Sequence, residues 1–168
     1  MQKILLLGID GAGKTALYLK FFGKKTPETL LTLQPTRGIA KYDHDFLRSD
    51  VEILDLGGGK EYRANYIGNL ELVSGLSAVI YVLDVQDNAR FQEAVTFIMS
   101  WTQSVVAQLK NVKGYLLFNK IDPGMEGKLR SNLEQLAKMV AQIGMIHPEP
   151  LVKTITSIYS DTSNKMFQ

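Results

Sequence analysis

A chain of 168 residues suits a single domain that buries roughly 70% of its unfolded surface, and the whole length reads as one unit without repeats or linkers. Its 19 basic and 17 acidic residues leave a net charge of +2 with no basic face, so nucleic acid is not an expected partner. The absence of cysteine excludes disulfides, cysteine-ligated metals, prenylation and palmitoylation, Gln2 excludes myristoylation, and no apolar run approaches the ~20 residues that span a bilayer; the expectation is a cytoplasmic protein with no membrane anchor of its own.

Met1-Gln2-Lys3 leads directly into an apolar run, Ile4 to Leu7, of strand length. Gly8-Ile9-Asp10-Gly11-Ala12-Gly13-Lys14-Thr15 follows, a complete phosphate-binding loop between that strand and a helix-compatible stretch from Thr15 to Phe22. Glycines leave backbone NH groups free to wrap phosphates, so Asp10, Gly11, Ala12, Gly13, Lys14, Thr15 and Ala16 are the phosphate-site candidates. Lys14 would reach the terminal phosphates and Thr15 would offer a hydroxyl to Mg²⁺.

From Lys24 to Gly38 neither helix nor strand period holds, and Pro27, Pro35 and Gly38 interrupt the chain. A connection of ~15 residues is long for a compact domain and favours a functional loop. Within it Thr36 is a candidate for a second Mg²⁺ hydroxyl and for a backbone NH to the γ-phosphate, with Thr32 competing. Ile39 to Leu47 alternates and reads as an edge strand; Val51 to Leu56 is continuous and ends at Asp55, placed to help hold the metal. Gly57-Gly58-Gly59 permits close backbone approach to a ligand, with Gly58 offering its NH to the γ-phosphate.

Tyr62 to Val73 reads as a helix, Ala78 to Leu83 as a buried strand, and Ala89 to Lys110 as a long helix whose Phe97, Trp101 and Val105 form a core stripe. The strand Tyr115 to Phe118 ends in Asn119-Lys120-Ile121-Asp122. Asp122 can accept two hydrogen bonds from the N1 and N2 edge of guanine, which adenine cannot donate. Lys120 would lay its stem along the base and Asn119 would brace the loop. A helix over Lys128 to Ile143 and a strand over Leu151 to Ile155 complete the pattern, and Thr156-Ser157-Ile158 would present backbone NH to guanine O6. His44 and His147 have no metal-ligand neighbour at useful spacing and read as structural. Strands alternating with helices predict an α/β fold with a mostly parallel six-stranded sheet covered on both faces.

The phosphate loop, Pro35-Thr36, Asp55-Leu56-Gly57-Gly58, Asn119-Lys120-Ile121-Asp122 and Thr156-Ser157-Ile158, in this order, resemble the Ras-like small GTPases over essentially the whole chain. The loop with Asp10 looks like the Arf group. The long Lys24 to Gly38 loop, the stretch from Ala78 to Asp87 and Thr156-Ser157-Ile158-Tyr159 look more like the Rag/Gtr group, which is preferred. The resemblance implies a P-loop nucleotidase fold of Ras-like type, a switch between GTP and GDP with Mg²⁺, and effector and regulatory proteins docking on Lys24 to Gly38 and Gly57 to Gly68. It also allows roadblock-type proteins or a second GTPase subunit as partners. Rag proteins carry a roadblock-type domain after the GTPase domain; here only ten residues follow Ile158, so a short or truncated final helix is expected, and either a cut domain or a stand-alone switch.

One position departs from the family pattern. The glutamine that orients the attacking water is Gly59 here, so slow intrinsic hydrolysis is expected. Arg37, Lys60 and Glu61 are substitutes within the chain, and a group supplied by a partner is the preferred remedy, leaving Lys14, Thr36, Arg37, Gly58 and Gly59 as the residues on which catalysis turns. A GTPase-fold scaffold that holds nucleotide without turning it over is the rival reading.

Overall fold

The computed structural model describes residues 2–46 and 49–160. The expected short final helix, and Leu47 at the end of the expected edge strand, lie outside the described residues. Six strands form one sheet in the order β2-β3-β1-β4-β5-β6: β1 (Gln2–Leu7), β2 (Ile39–Phe46), β3 (Ser49–Leu56), β4 (Leu76–Asp84), β5 (Lys113–Asn119) and β6 (Leu151–Thr156). β2 runs antiparallel to β3 and every other pairing is parallel.

Burial follows from strand position. The central strands β1, β4 and β5 are apolar on consecutive residues because both their faces are covered. On one face Leu5, Leu7, Val79, Tyr81 and Leu116 pack against Phe91, Val95, Ile98 and Trp101 of α5 (Phe91–Ser104), with Leu136 of α6 (Glu126–Met139) and Ile143 of α7 (Ala141–Ile146). On the other, Leu6, Ile53, Ile80, Val82 and Leu117 meet Leu17 and Tyr18 of α1 (Lys14–Phe21). β2 is an edge strand, as its alternation predicts. β6 is the second edge: paired among the described residues only with β5, it leaves Val152 and Ile155 exposed, although its sequence reads like a buried strand.

Three of the four expected helices are divided, while Thr15 to Phe22 corresponds to α1. Tyr62 to Val73 is not one helix but two single turns, α3 (Lys60–Arg63) and α4 (Leu70–Val73). Gly68 at φ +69° breaks the path, and the Asn69 side chain accepts from the Glu71 NH to start α4. Ala89 to Lys110 is α5 flanked by 3₁₀ turns over Asn88–Arg90 and Val106–Leu109. Near the end of α5 the Thr102 and Ser104 hydroxyls bond back to the carbonyls of Ile98 and Trp101, competition that weakens helix propagation. Lys128 to Ile143 begins earlier, at Glu126, and divides at Val140, where the Ile143 NH bonds the Val140 carbonyl three residues back. The Lys24 to Gly38 loop also holds one helical turn, α2 (Pro27–Leu30), with Pro27 at its first position, where a missing NH costs nothing.

Parallel register lines up the carboxyl ends. Leu6 pairs with Asp55, Leu7 with Tyr81, Asp84 with Asn119, and Asn119 with Thr156. The chain crosses β1 on its way from β3 to β4, so strand order reverses around β1, and the loop leaving β1 opens into the crevice where such sheets bind ligands.

Candidate functional site

Two glycines show why the loop after β1 has its sequence. A Cβ on Gly8 would stand 2.4 Å from the Val82 carbonyl oxygen, so only glycine lets the loop pack on β4. Gly13 turns at φ +94° to cap α1, and a Cβ there would meet Asn119 Nδ2 at 2.4 Å. Lys14 is buried and its ammonium donates to the carbonyls of Gly8 and Ile9 at 2.9 and 3.0 Å. Burial brings its pKa down to about 8, opposed by the negative charges of Asp55 and Asp10 and reinforced by the positive charge of Arg63.

Thr15, Thr36 and Asp55 converge beside it. The two hydroxyl oxygens are 2.7 Å apart, the Thr15 hydroxyl donates to Asp55 Oδ2, and the Thr36 hydroxyl reaches the same oxygen at 3.3 Å. Burial raises the Asp55 pKa, while the Thr15 hydrogen bond, the Lys14 charge and the Thr36 hydrogen bond oppose the rise. Asp55 Oδ1 is buried with no partner among the described residues. A hard oxygen cluster with one orphaned carboxylate oxygen fits Mg²⁺, which takes few protein ligands and shares the rest with phosphates. Thr32 is not part of it: its hydroxyl donates to the Thr29 carbonyl in a local turn, so of the two threonines only Thr36 joins Thr15 and Asp55.

The opposite end of the crevice is tied by side chains. Asn119 donates to the Ala12 carbonyl at 2.9 Å and accepts from the Thr156 hydroxyl at 3.0 Å. Lys120 holds a left-handed backbone at φ +66°, and its ammonium is 2.7 Å from Asp84 Oδ2. Ser157 Oγ donates to Asp122 Oδ1. Gln86 was not among the expected site residues, yet its amide donates to the Lys120 carbonyl at 2.8 Å and to Asp122 Oδ2 at 3.3 Å. The available signal was position alone, since Gln86 follows the carboxyl end of β4.

At the end beside Thr15 and Thr36, Gly58 is pressed on the first loop: a Cβ would stand 2.1 Å from the Asp10 nitrogen. Gly59 lies beside the Glu61 carboxylate, whose oxygens are 2.7 Å from where a Cβ would be. Arg37 is exposed and is not among the residues that line the cavity between the two ends. Lys60 is drawn to Glu93 on α5, 3.7 Å away. Sequence reading also missed Arg63 and Arg90. Both reach Asp10, at 3.0 Å from Oδ1 and Oδ2 respectively. Burial works to raise the Asp10 pKa, but the Arg90 hydrogen bond and charge, with the Arg63 hydrogen bond, hold it below the usual carboxylate value.

A cavity of about 460 Å³ joins the two ends, a volume typical of small-molecule sites. Asp10, Gly11, Gly13, Lys14, Thr15, Ala16, Thr36, Gly58, Asn119, Lys120, Asp122 and Ile158 line it, as do the unforeseen Leu30, Leu31, Gln86 and Tyr159. Ala12 and Ser157, buried, and Asp55, which meets the cavity through the threonine hydroxyls, stand behind the lining, and half-buried Gly59 is also outside it.

Sheet order, phosphate loop and a polar crevice at the carboxyl ends define a P-loop nucleotide-binding fold of the small-GTPase kind. The sequence profile of the Gtr1/RagA G protein conserved region matches residues 3–168, and the chain belongs to that family. Relatives of the Arf and Rab kinds are also similar. ADP-ribosylation factor-like protein 2 of Drosophila melanogaster is 27% identical over 176 residues, covering 99% of this chain and 90% of its own. Ras-related protein Rab-13 of Canis lupus familiaris is 26% identical over 93% of this chain and 73% of its own. ADP-ribosylation factor-like protein 13B of Chlamydomonas reinhardtii is 34% identical over 91 residues, 54% of this chain and only 16% of that protein's length. The structure of the Arl6 BBS3 small GTPase from Trypanosoma brucei with bound nucleotide analogue GppNp superposes with a TM-score of 0.73 at 18% identity, covering 99% of this chain and 92% of that one, a likeness of fold.

Proposed function

We propose that this chain is a molecular switch that binds GTP or GDP together with Mg²⁺ and hydrolyses GTP slowly unless a partner assists. The observation that carries the reading is the single cavity lined at one end by Lys14, Thr15 and Thr36 and at the other by Asn119, Lys120 and Asp122. In this reading the first loop's NH groups and the Lys14 ammonium hold the phosphates, and Asp122 accepts the guanine edge while Ser157 keeps its other oxygen aligned. Thr15 and Thr36 would hold Mg²⁺ with Asp55 beside them, and the chemistry supplied there would be neutralisation of phosphate charge. Gly58 contributes its NH to the γ-phosphate, so loss of that group frees both the Lys24–Gly38 and Gly57–Gly68 loops for a change of partner. The single chain of 1–168 acts as one switch domain that works in the cytoplasm and docks through these loops on effector and regulatory proteins, with roadblock-type proteins or a second GTPase subunit as its stable partners.

Gly59 has no side chain to hold water, and the Glu61 carboxylate lies against it. Unassisted turnover is therefore expected below the roughly 10⁻⁴ to 10⁻³ per second of an intact, unassisted Ras-like site. The same observation favours a second reading, a guanine-nucleotide scaffold that never turns over. Protein charged with GTP and freed of excess nucleotide separates them: recovery of GDP and phosphate over hours supports the switch, and GTP recovered unchanged even with cell extract supports the scaffold. Equal affinity for ATP and GTP would sink both.

A further inference from the structure

Arg63, on α3, makes contacts that join two loops. Its Nε donates to the Gly58 carbonyl at 2.5 Å, one terminal nitrogen to Asp10 Oδ1 at 3.0 Å, and the other to Glu93 Oε1 at 2.8 Å. The guanidinium lies over the Phe97 ring, 5.5 Å from its centre, and the residue is only 9% exposed. Arg90 reaches the same aspartate differently. It donates to Asp10 Oδ2 at 3.0 Å, to the Asp10 carbonyl at 3.1 Å and to Asp87 at 2.6 Å, with no bond to Gly58. Asp10 is thus gripped from two sides, but only the Arg63 grip crosses to the loop after β3.

That crossing is placed where the two loops touch most closely, since nothing larger than hydrogen fits between Gly58 and the Ile9–Asp10 backbone. A buried guanidinium is stable only with its acceptors in place. Moving Gly58 off the first loop strips Arg63 Nε of its carbonyl and strains its hold on Asp10, so the seated arrangement is favoured as a unit. The planar fork supplies all three bonds at fixed angles; an ammonium on a flexible stem does not.

We propose that Arg63 is a positioning residue for triphosphate recognition: by bridging the Gly58 carbonyl and the Asp10 carboxylate it seats the Gly57–Gly59 segment on the phosphate loop and thereby raises affinity for GTP over GDP. The proposal rests on the guanine-nucleotide reading above. It assigns no chemistry to Arg63, which acts through the Gly58 backbone.

The test titrates the 168-residue chain with GDP and with a non-hydrolysable GTP analogue in Mg²⁺ buffer. Wild-type protein that binds neither would overturn the nucleotide reading itself, before any variant is made. Given wild-type binding, Arg63→Gln is expected to lose about tenfold in affinity for the analogue, the worth of one charge-assisted hydrogen bond, and under threefold for GDP. Arg90→Gln, which loosens Asp10 without touching Gly58, is expected to weaken both nucleotides by the same factor. Arg63→Lys keeps the charge and is expected not to restore the wild-type ratio. Equal loss of both ligands in Arg63→Gln, or a wild-type ratio in Arg63→Lys, overturns the proposal. If Arg63→Gln does not fold, Asp10→Asn removes the anion from the bridge; an analogue-to-GDP ratio that falls in it supports the proposal, and an unchanged ratio overturns it.

Discussion

The base end and the phosphate end of the cavity are built from different materials. At the base end, Asn119, Lys120 and Asp122 are each held by a bond to another loop or strand end, through Ala12, Asp84, Gln86, Thr156 and Ser157. At the phosphate end, Gly8, Gly57 and Gly58 lie against backbone, with buried Arg63 bonded to the Gly58 carbonyl. Fixed side chains give selectivity, because each leaves a buried polar group unpaired when the wrong partner arrives. Glycine backbone permits a loop to rearrange, and Gly59 lacks the water-holding side chain. On the proposed reading, recognising the guanine base and turning the nucleotide over therefore fall to separate parts of the chain.

The largest effect is expected where the side chains are fixed. Asp122→Asn replaces an acceptor of two charge-assisted hydrogen bonds, worth roughly 1.5–3 kcal/mol each, and should lower GDP affinity on the order of a hundredfold or more. Discrimination against xanthine nucleotides should fall with it, because the new amide NH₂ can donate to the xanthine carbonyl. Equilibrium titration with labelled GDP and XDP measures both. Undiminished GDP binding would break the comparison, since the base end would then be no more selective than the glycine end.

Much of that contrast was readable in the sequence. The phosphate loop, Asp55 and Asn119–Asp122 each lie at or just past the end of an apolar run, so their positions at the carboxyl ends of the strands come from strand periodicity alone. What remained hidden has a common cause: it depends on which remote residues the fold brings together. Gln86 meets Asp122 across 36 positions, and Arg63 and Arg90 meet Asp10 across 53 and 80. Helix ends were misread where local hydroxyl and glycine chemistry overrode an unbroken hydrophobic period, as at Gly68-Asn69 and Thr102. β6 misled in the opposite sense, for an apolar strand at the sheet edge looks the same in sequence as one inside it.

An intermediate effect is expected at the glycine end. Gly59→Gln restores a side chain able to orient water, and single-turnover hydrolysis should rise about tenfold, part of the catalysis that positioning supplies. The new Cβ meets the Glu61 carboxylate, the far end of a flexible side chain on exposed chain, so the substitution costs little; Gly59→Gln with Glu61→Ala should be at least as fast. GDP affinity should stay within a factor of two. A wild type already fast and unchanged by the glutamine would show that some other group holds the water, and the division between the two ends would fail.

The smallest effect belongs to the strand the two ends share. β4 carries Asp84 and leads to Gln86 at the base end, and its Val82 carbonyl packs under Gly8 at the phosphate end. Beneath it the His147 ring meets Tyr81 edge-on at 6.1 Å between centres, and its Nε2 is buried with no partner among the described residues. Burial lowers the His147 pKa from its ordinary 6.5, against the opposing pull of the Glu149 carbonyl and charge. With the folded value depressed, the unfolded chain takes up the proton first as pH falls. This group therefore leaves stability unchanged above 6.5 and reduces it progressively as pH drops below 6.5 toward the folded value. Urea midpoints measured from pH 7.5 to 5 should decline less steeply in His147→Gln than in wild type. Because β4 serves both ends, the affinity ratio of GTP analogue to GDP should be the same in the two proteins at each pH; a ratio that shifts with His147 would mean that the ends are coupled through the strand beneath them.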